Sequence, residues 1–147
     1  NTYKYDWSGF NQPRKPFEKF LSGDFDPLNA HEKNVIDLIK HKSGVYSVIA
    51  TYDGAYPDVV PHEICHALFA TDINYKKEVL AILKKADLSN LFKWLKKAGY
   101  HKSVWLDECH AYMSASSVFL NLEGIQFNAK ISNQLRLIYR KYSKGIK

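Results

Sequence analysis

Side chains that recur at helical spacing predict the first helix of the chain, over residues 27–40. They are Leu28, His31, Val35, Leu38 and Ile39. Asp26 and Pro27 precede them as an N-cap acceptor and a ring that needs no amide hydrogen bond, so we expect the helix to begin there. Gly44 then separates this helix from the next element.

The rest of the chain contains one strong strand pattern and five further helical patterns. Residues 45–52 are β-branched and aromatic, which predicts a strand. Apolar spacing and turn residues predict helices near 58–70, 74–85, 88–98, 103–120 and 126–142. Gly99 follows the third of these helices at the position that a C-terminal cap favours.

The first 25 residues are aromatic and follow no regular pattern. Pro13 and Pro16 interrupt them, so we interpret residues 1–25 as an irregular arm packed on the core. Without a repeat or a boundary, the chain is expected to form one α+β domain over residues 1–147. The domain is mainly α, with a small sheet that includes an edge strand near 45–52.

Composition narrows the class of protein. Hydrophobic residues make up 46% and aromatic residues 14% of the 147 residues, which is typical of a globular chain. No apolar run reaches the roughly 18–20 residues that a membrane-spanning helix requires. The formal charge is +6. The lysines, however, have the spacing of a solvated helix face, and no nucleic-acid motif accompanies them. We therefore expect a soluble domain with no membrane span and no nucleic-acid partner.

Cys65 and Cys109 are too few for a disulfide scaffold or a four-thiolate zinc site. If the helices that carry them pack together, the pair is able to form a single disulfide in an oxidising compartment. The sequence starts at Asn1 rather than Met, so we expect a processed or excised chain. The compartment stays open, with export as one option.

The strongest chemical signal is the sequence His-Glu-Ile-Cys-His at residues 62–66. On a helix, positions i and i+4 share a face, so His62 and His66 can reach one metal ion. Glu63 lies on the flank of that face, where it can hold a water molecule without being a ligand. The flanking residues are uncharged, which favours a buried helix with rigid histidines.

A catalytic zinc site needs a third protein ligand, and Glu108 is the leading candidate. On the predicted helix near 103–120 it shares an otherwise apolar face, and a carboxylate facing a core needs a compensating partner. His110 and Asp107 are the alternatives because they lie next to Glu108 in the sequence. Cys65 is a fourth candidate by its chemistry, although a small buried residue is the simpler interpretation.

These two segments resemble the zinc helices of zincin metallopeptidases, and of gluzincins in particular. The stretch around His62 is similar to the active-site helix of thermolysin-like enzymes, and Glu108-Cys109-His110-Ala111 resembles the Glu-x-x-Ala signature. The resemblance implies that His62, His66 and Glu108 bind one Zn²⁺ per chain and that Glu63 is the general base. It also implies a strand that holds the substrate backbone beside the cleft, for which residues 45–51 are the candidate.

The sequence departs from the gluzincin pattern at two positions. Pro61 directly precedes the first histidine, so it must lie in the first turn of a helix that starts late. Tyr112 stands where relatives often have an aspartate that hydrogen-bonds a ligand histidine, so either the Tyr112 hydroxyl or another acid, such as Asp72, is expected to do so. The candidates to stabilise an oxyanion are Tyr112, His110, His101 and Tyr100.

The sequence therefore predicts a zinc metallopeptidase that hydrolyses peptide bonds of a peptide or protein substrate. One alternative is a non-catalytic, zinc-stabilised interaction domain, in which Cys65 or His110 would close the fourth coordination position. The other is a basic interaction module that carries the motif by coincidence.

Overall fold

The computed structural model describes residues 9–52 and 54–146. Over these residues the chain is mainly helical with a small antiparallel sheet, which confirms the predicted α+β, mainly α class. In chain order the elements are β1 (Gly9–Pro13), α1 (Glu18–Leu21), α2 (Ala30–Ile39), β2 (Ser47–Thr51), α3 (Val59–Thr71), α4 (Ile73–Leu83), α5 (Ser89–Lys97), α6 (Trp105–Ser114), α7 (Ser117–Leu122) and α8 (Ala129–Tyr142).

The sheet joins the N-terminal arm to the predicted strand. In its antiparallel register Gly9 pairs with Thr51 and Pro13 pairs with Ser47. The strand prediction for 45–52 is confirmed. The prediction that residues 1–25 are irregular is wrong where β1 and α1 form. Pairing with β2 creates β1, although the sequence of β1 has no strand pattern of its own. Residues 1–8 of the predicted arm lie outside the described part of the chain.

The first long helix, α2, begins three residues later than predicted. Asn29 is its N-cap, and its side chain accepts hydrogen bonds from the amides of His31 and Glu32. Glu32 in turn accepts from the Asn29 amide at 2.9 Å. This reciprocal capping box satisfies amides that a start at Asp26-Pro27 would leave without partners.

Helix α3 carries the histidine motif and begins as Pro61 requires. Val59 is its first residue and His62 makes an i→i−4 amide bond to Asp58, so Pro61 lies in the first turn, where no amide hydrogen is needed. The helix ends before Asp72, whose side chain caps α4 by accepting from the amides of Asn74 and Tyr75. Asp72 is therefore a capping residue.

The end of α5 fixes an aromatic residue of the later site. Gly99 adopts φ +89°, and the amide of Tyr100 donates to the carbonyl of Leu95. This Schellman arrangement confirms the predicted C-terminal glycine. It also turns the chain so that Tyr100 packs against the helix that follows.

The helix predicted over 103–120 is divided into three pieces. A 3₁₀ turn over Lys102–Val104 leads into α6, and α7 starts after a break at Ala115 and Ser116. The Met113 carbonyl, which a continuous helix would bond to an amide four residues on, accepts instead from the Ser132 hydroxyl at 2.6 Å. The side chain from α8 thus replaces a main-chain bond at the break.

The core lies between α4, α5, α6 and α8. Its largest fully buried apolar side chains come from these helices and α7: Tyr75, Val79, Leu91, Leu95, Met113, Leu120 and Leu135. No helix within residues 9–52 or 54–146 is long and apolar enough to cross a membrane. Helix α3 packs against both β1 and α6, so the sheet and Glu108 flank the histidine motif.

Gly9 permits the close packing of β1 on α3. A Cβ at this position would lie 2.7 Å from Val59 Cγ1, 3.3 Å from the Ala50 carbonyl oxygen and 3.4 Å from Glu63 Cγ. The first distance is too short for two carbon atoms. The missing side chain therefore sets how near β1 comes to the helix that carries the motif.

We predict that Gly9→Ala lowers the free energy of unfolding by about 1–3 kcal/mol, because the added methyl overpacks this contact. Urea denaturation measures the change. In a Val59→Ala background the same substitution is expected to cost less, since Val59 makes the shortest contact. Equal costs in the two backgrounds would show that Val59 does not limit the approach of β1.

Candidate metal centre

Helices α3 and α6 bring three candidate ligands together. His62 and His66 Nε2 atoms lie 3.0 Å apart, and each is 3.6 Å from Glu108 Oε2. All three side chains are largely buried, with 11–14% of their surface exposed. Among the described residues, they form the group able to hold a metal ion. The structure therefore brings together the two histidines and the leading candidate for the third ligand.

Glu108 Oε2 is a buried oxygen that makes no hydrogen bond in the described structure. His66 Nδ1 lies 2.8 Å from Asp107 Oδ1, so this nitrogen donates and leaves a lone pair on Nε2. The His62 and His66 Nε2 atoms are also within hydrogen-bond distance of each other. A buried carboxylate oxygen without a hydrogen bond beside two imidazole nitrogens is an arrangement that can accommodate a cation. Nitrogen and oxygen ligands bind zinc at about 2.0–2.2 Å, so their separations fit one shared ion.

Asp107 orients His66. Burial favours a higher pKa for the Asp107 carboxyl, but hydrogen bonds from His110 and His66 outweigh it and lower the pKa to about 2. Burial lowers the pKa of His66, but the hydrogen bond to Asp107 and the nearby carboxylates give a net rise. The expected partner of a ligand histidine is thus Asp107. The bond is thus made by another acid, as one of the two alternatives expected, but this acid is Asp107 and not the capping residue Asp72, and Tyr112 does not make it.

Different residues hold the ring of His62 in place. Its Nδ1 lies 3.3 Å from Ser116 Oγ, and its ring packs edge-on against Tyr112 with centroids 4.6 Å apart. The break between α6 and α7 positions Ser116, which occupies the N-cap position of α7 without a side-chain capping bond, so that its hydroxyl contacts His62 instead. Tyr112 therefore supports a histidine by ring packing, while Ser116 supplies the polar contact.

The rival ligands have other partners. His110 is fully buried, with Nε2 3.1 Å from the Tyr75 hydroxyl and Nδ1 2.6 Å from the Asp107 carbonyl oxygen. Its ring therefore belongs to the core network behind His66. The Asp107 carboxylate lies on Nδ1 of His66, which is the side of that ring away from Glu108. Neither the His110 ring nor the Asp107 carboxylate belongs to the convergent ligand group.

Both cysteines are buried free thiols, so the hypothetical Cys65–Cys109 disulfide is not formed. Burial raises the pKa of each thiol to about 12. The side chain of Cys65 is fully buried in the core. A neutral, enclosed thiol is a packing residue, in agreement with the simpler interpretation of Cys65.

Glu63 lies beside the candidate ligands in an open cleft of about 690 Å³. Burial raises the pKa of its carboxyl, His66 and His62 oppose the rise, and the carboxylates of Glu108 and Asp107 add to it. A carboxylate with an elevated pKa is suited to accept and return a proton near neutral pH. Gly9 of β1 lies directly beside the Glu63 side chain.

The part of the sheet that lines this cleft is β1, through Gly9, Phe10 and Asn11. The sequence predicts this role for residues 45–51, but β2 pairs with β1 and none of its residues lines the cleft. The residues of β2 have a strong strand pattern, whereas those of β1 have none. The sequence therefore does not predict that β1 pairs with β2. The cleft strand is therefore β1.

Two of the predicted oxyanion partners lie in the cleft. Tyr100 and Tyr112 both line it, with their hydroxyls 3.1 Å apart. His101 caps the 3₁₀ turn through Nδ1, which contacts Ser103, and His110 is enclosed in the core. Of the four candidate residues, Tyr100 and Tyr112 are therefore the two that line the cleft.

Sequence reasoning overlooked Ser116, and it treated Asp107 only as a rival ligand. Small residues crowd around Ser116 at positions 114–117, a composition that weakens a helix and was the available signal for a break. For Asp107, its adjacency to Glu108 was the available signal, because neighbouring helix positions point in different directions. Glu108 faces Nε2 of His66, and Asp107 faces Nδ1 of the same ring.

Comparisons with protein-family models, curated proteins and solved structures found no match to this chain.

We predict that Asp107→Ala weakens zinc binding by about 10–100-fold, because His66 loses the acceptor that orients its ring. Competition with a chromophoric chelator measures the affinity. Asp58→Ala is the matched control, since Asp58 also lines the cleft and its removal changes the charge equally. Unchanged affinity in Asp107→Ala, or an equal loss in the control, would contradict an orienting role.

The two thiols provide a second prediction. Native protein is expected to react very slowly with an aromatic disulfide reagent, because both thiols are enclosed and protonated. In denaturant two thiols per chain should react rapidly without prior reduction. A count of zero in non-reducing denaturant would reveal a disulfide and contradict the free thiols.

Proposed function

We propose that this chain is a zinc-dependent metallopeptidase in which His62, His66 and Glu108 hold the ion. The observation that carries the proposal is the buried Glu108 oxygen, which lacks a hydrogen bond and faces two imidazole nitrogens at 3.6 Å. A core carboxylate in this position is explained by a cation between it and the two rings.

The ion, when bound, supplies Lewis acidity that polarises a peptide carbonyl and lowers the pKa of a water molecule. Glu63 accepts the proton from that water as it attacks the carbonyl carbon. The protonated Glu63 then donates to the leaving amine as the C–N bond breaks. Its raised pKa makes Glu63 a stronger base for the first of these transfers.

The remaining groups of the cleft fit substrate positioning. The hydroxyls of Tyr100 and Tyr112 hydrogen-bond each other, so one of them donates to the other. The accepting hydroxyl keeps its own proton and is suited to donate it to the carbonyl oxygen as negative charge develops there. Strand β1 pairs with β2 on one side and lines the cleft, so its backbone is suited to pair with an extended peptide.

The same geometry favours a catalytic site over a closed structural one. A structural zinc site takes a fourth protein ligand. Cys65 and His110, the candidates for that position, are both fully buried in the core, and His110 Nε2 is held by the Tyr75 hydroxyl. The ligand group instead borders an open cleft that contains a general base, which supports the peptidase proposal.

We predict that Glu63→Gln retains about one zinc per chain and loses peptide cleavage by at least 10²-fold, because the amide cannot accept the proton. Metal content is measured by mass spectrometry and cleavage with a quenched fluorescent peptide library. Glu18→Gln, at an exposed position outside the cleft, is the matched control.

Glu108→Ala distinguishes the ligand from the base. Both zinc content and cleavage are expected to fall in this variant, whereas Glu63→Gln loses cleavage alone. Full activity in Glu63→Gln would overturn the mechanism. A folded wild-type protein that binds no added zinc would overturn the proposal as a whole.

A further inference from the structure

Four aromatic rings form one wall of the cleft. Trp94 contributes from α5, Tyr112 from α6 and Phe119 from α7, while Tyr100 follows the α5 cap. Trp94 packs edge-on against Tyr112 at a centroid distance of 5.0 Å and lies 6.0 Å from Phe119. Tyr112 and Phe119 are stacked at 5.7 Å. We call this set the aromatic wall.

The aromatic wall reaches the candidate metal centre without interruption. Tyr112 packs on His62 at one end, and Phe119 is 37% exposed at the other. Tyr112 thus lies between Phe119 and the candidate ligand His62. One ring separates the exposed part of the aromatic wall from the candidate metal centre.

The charged groups that line this cleft are acidic, although the whole chain carries +6. They are Asp58, Glu63, Asp107 and Glu108, and no lysine or arginine lines the cleft among the described residues. A divalent ion offsets only part of that charge. The cleft therefore repels acidic side chains, while its rings offer apolar surface.

We infer that the aromatic wall selects peptides with a large uncharged apolar side chain beside the scissile bond and disfavours acidic ones. The inference rests on the proposed peptidase function for the scissile bond. Selection itself follows from burial of an apolar side chain against the rings and from like-charge repulsion in the cleft.

The test is equilibrium binding of three blocked peptides that differ at one central residue, which is Phe, Ala or Glu. The host protein is Glu63→Gln purified with zinc, in which binding is separated from turnover. We expect the Phe peptide to bind about 10-fold or more tightly than the Ala peptide, and the Glu peptide to bind most weakly.

Variants of the wall then locate the preference. Phe119→Ala should reduce the Phe-to-Ala affinity ratio by about 3-fold or more, and Phe119→Leu should retain most of it. Val118→Ala is the matched control, because Val118 is an apolar neighbour on α7 that is 68% exposed and does not line the cleft. Circular dichroism verifies that each variant is folded.

The outcomes separate this inference from the proposed function. Equal binding of the Phe and Ala peptides, or a ratio unchanged in Phe119→Ala, overturns selection by the wall even if wild-type protein cleaves peptides. A Phe preference that depends on Phe119 supports the wall as a side-chain site. If wild-type protein then cleaves none of the three peptides or the library, the peptidase proposal fails while the binding preference stands.

Discussion

The contact between α3 and α6 is the constraint on which the candidate site depends, since it buries a carboxylate beside two imidazoles. An isolated buried carboxylate costs several kcal/mol, and Glu108 Oε2 has no hydrogen bond to reduce that cost. The surroundings are organised around this oxygen. Asp107 directs one imidazole toward it and Ser116 contacts the other, so each ring is held from its far side.

The candidate site has a tightly packed side in the core and an open side at the cleft. Behind His66, the ring of His110 stacks on Phe69 and contacts the Tyr75 hydroxyl, which ties the histidines to the core. In front, Glu63 borders a cleft between β1 and the aromatic wall. Fixed ligands next to an accessible base are what a hydrolytic site requires, because the base must move a proton while the ligands stay in position.

Local chemistry explains which features the sequence was able to predict. Strand β2, the C-terminal glycine of α5 and the late start of α3 depend on neighbouring residues, and each is found as expected. The grouping of His62 and His66 follows from one turn of helix. Strand β1, the break before Ser116 and the Asp107 bond depend instead on partners remote in sequence. Their patterns were weak because tertiary contacts determine them.

The pairing of β1 with β2 also bears on the order in which the molecule assembles. Gly9 lies opposite Thr51 and against Val59, so this wall of the cleft requires closure of a long loop. Helices form from local contacts, whereas contacts between distant residues form more slowly. During folding, helix α3 is therefore expected to form before the cleft beside it. The spacing of His62 and His66 depends on one turn of a single helix, whereas the shape of the cleft depends on residues that are distant in sequence.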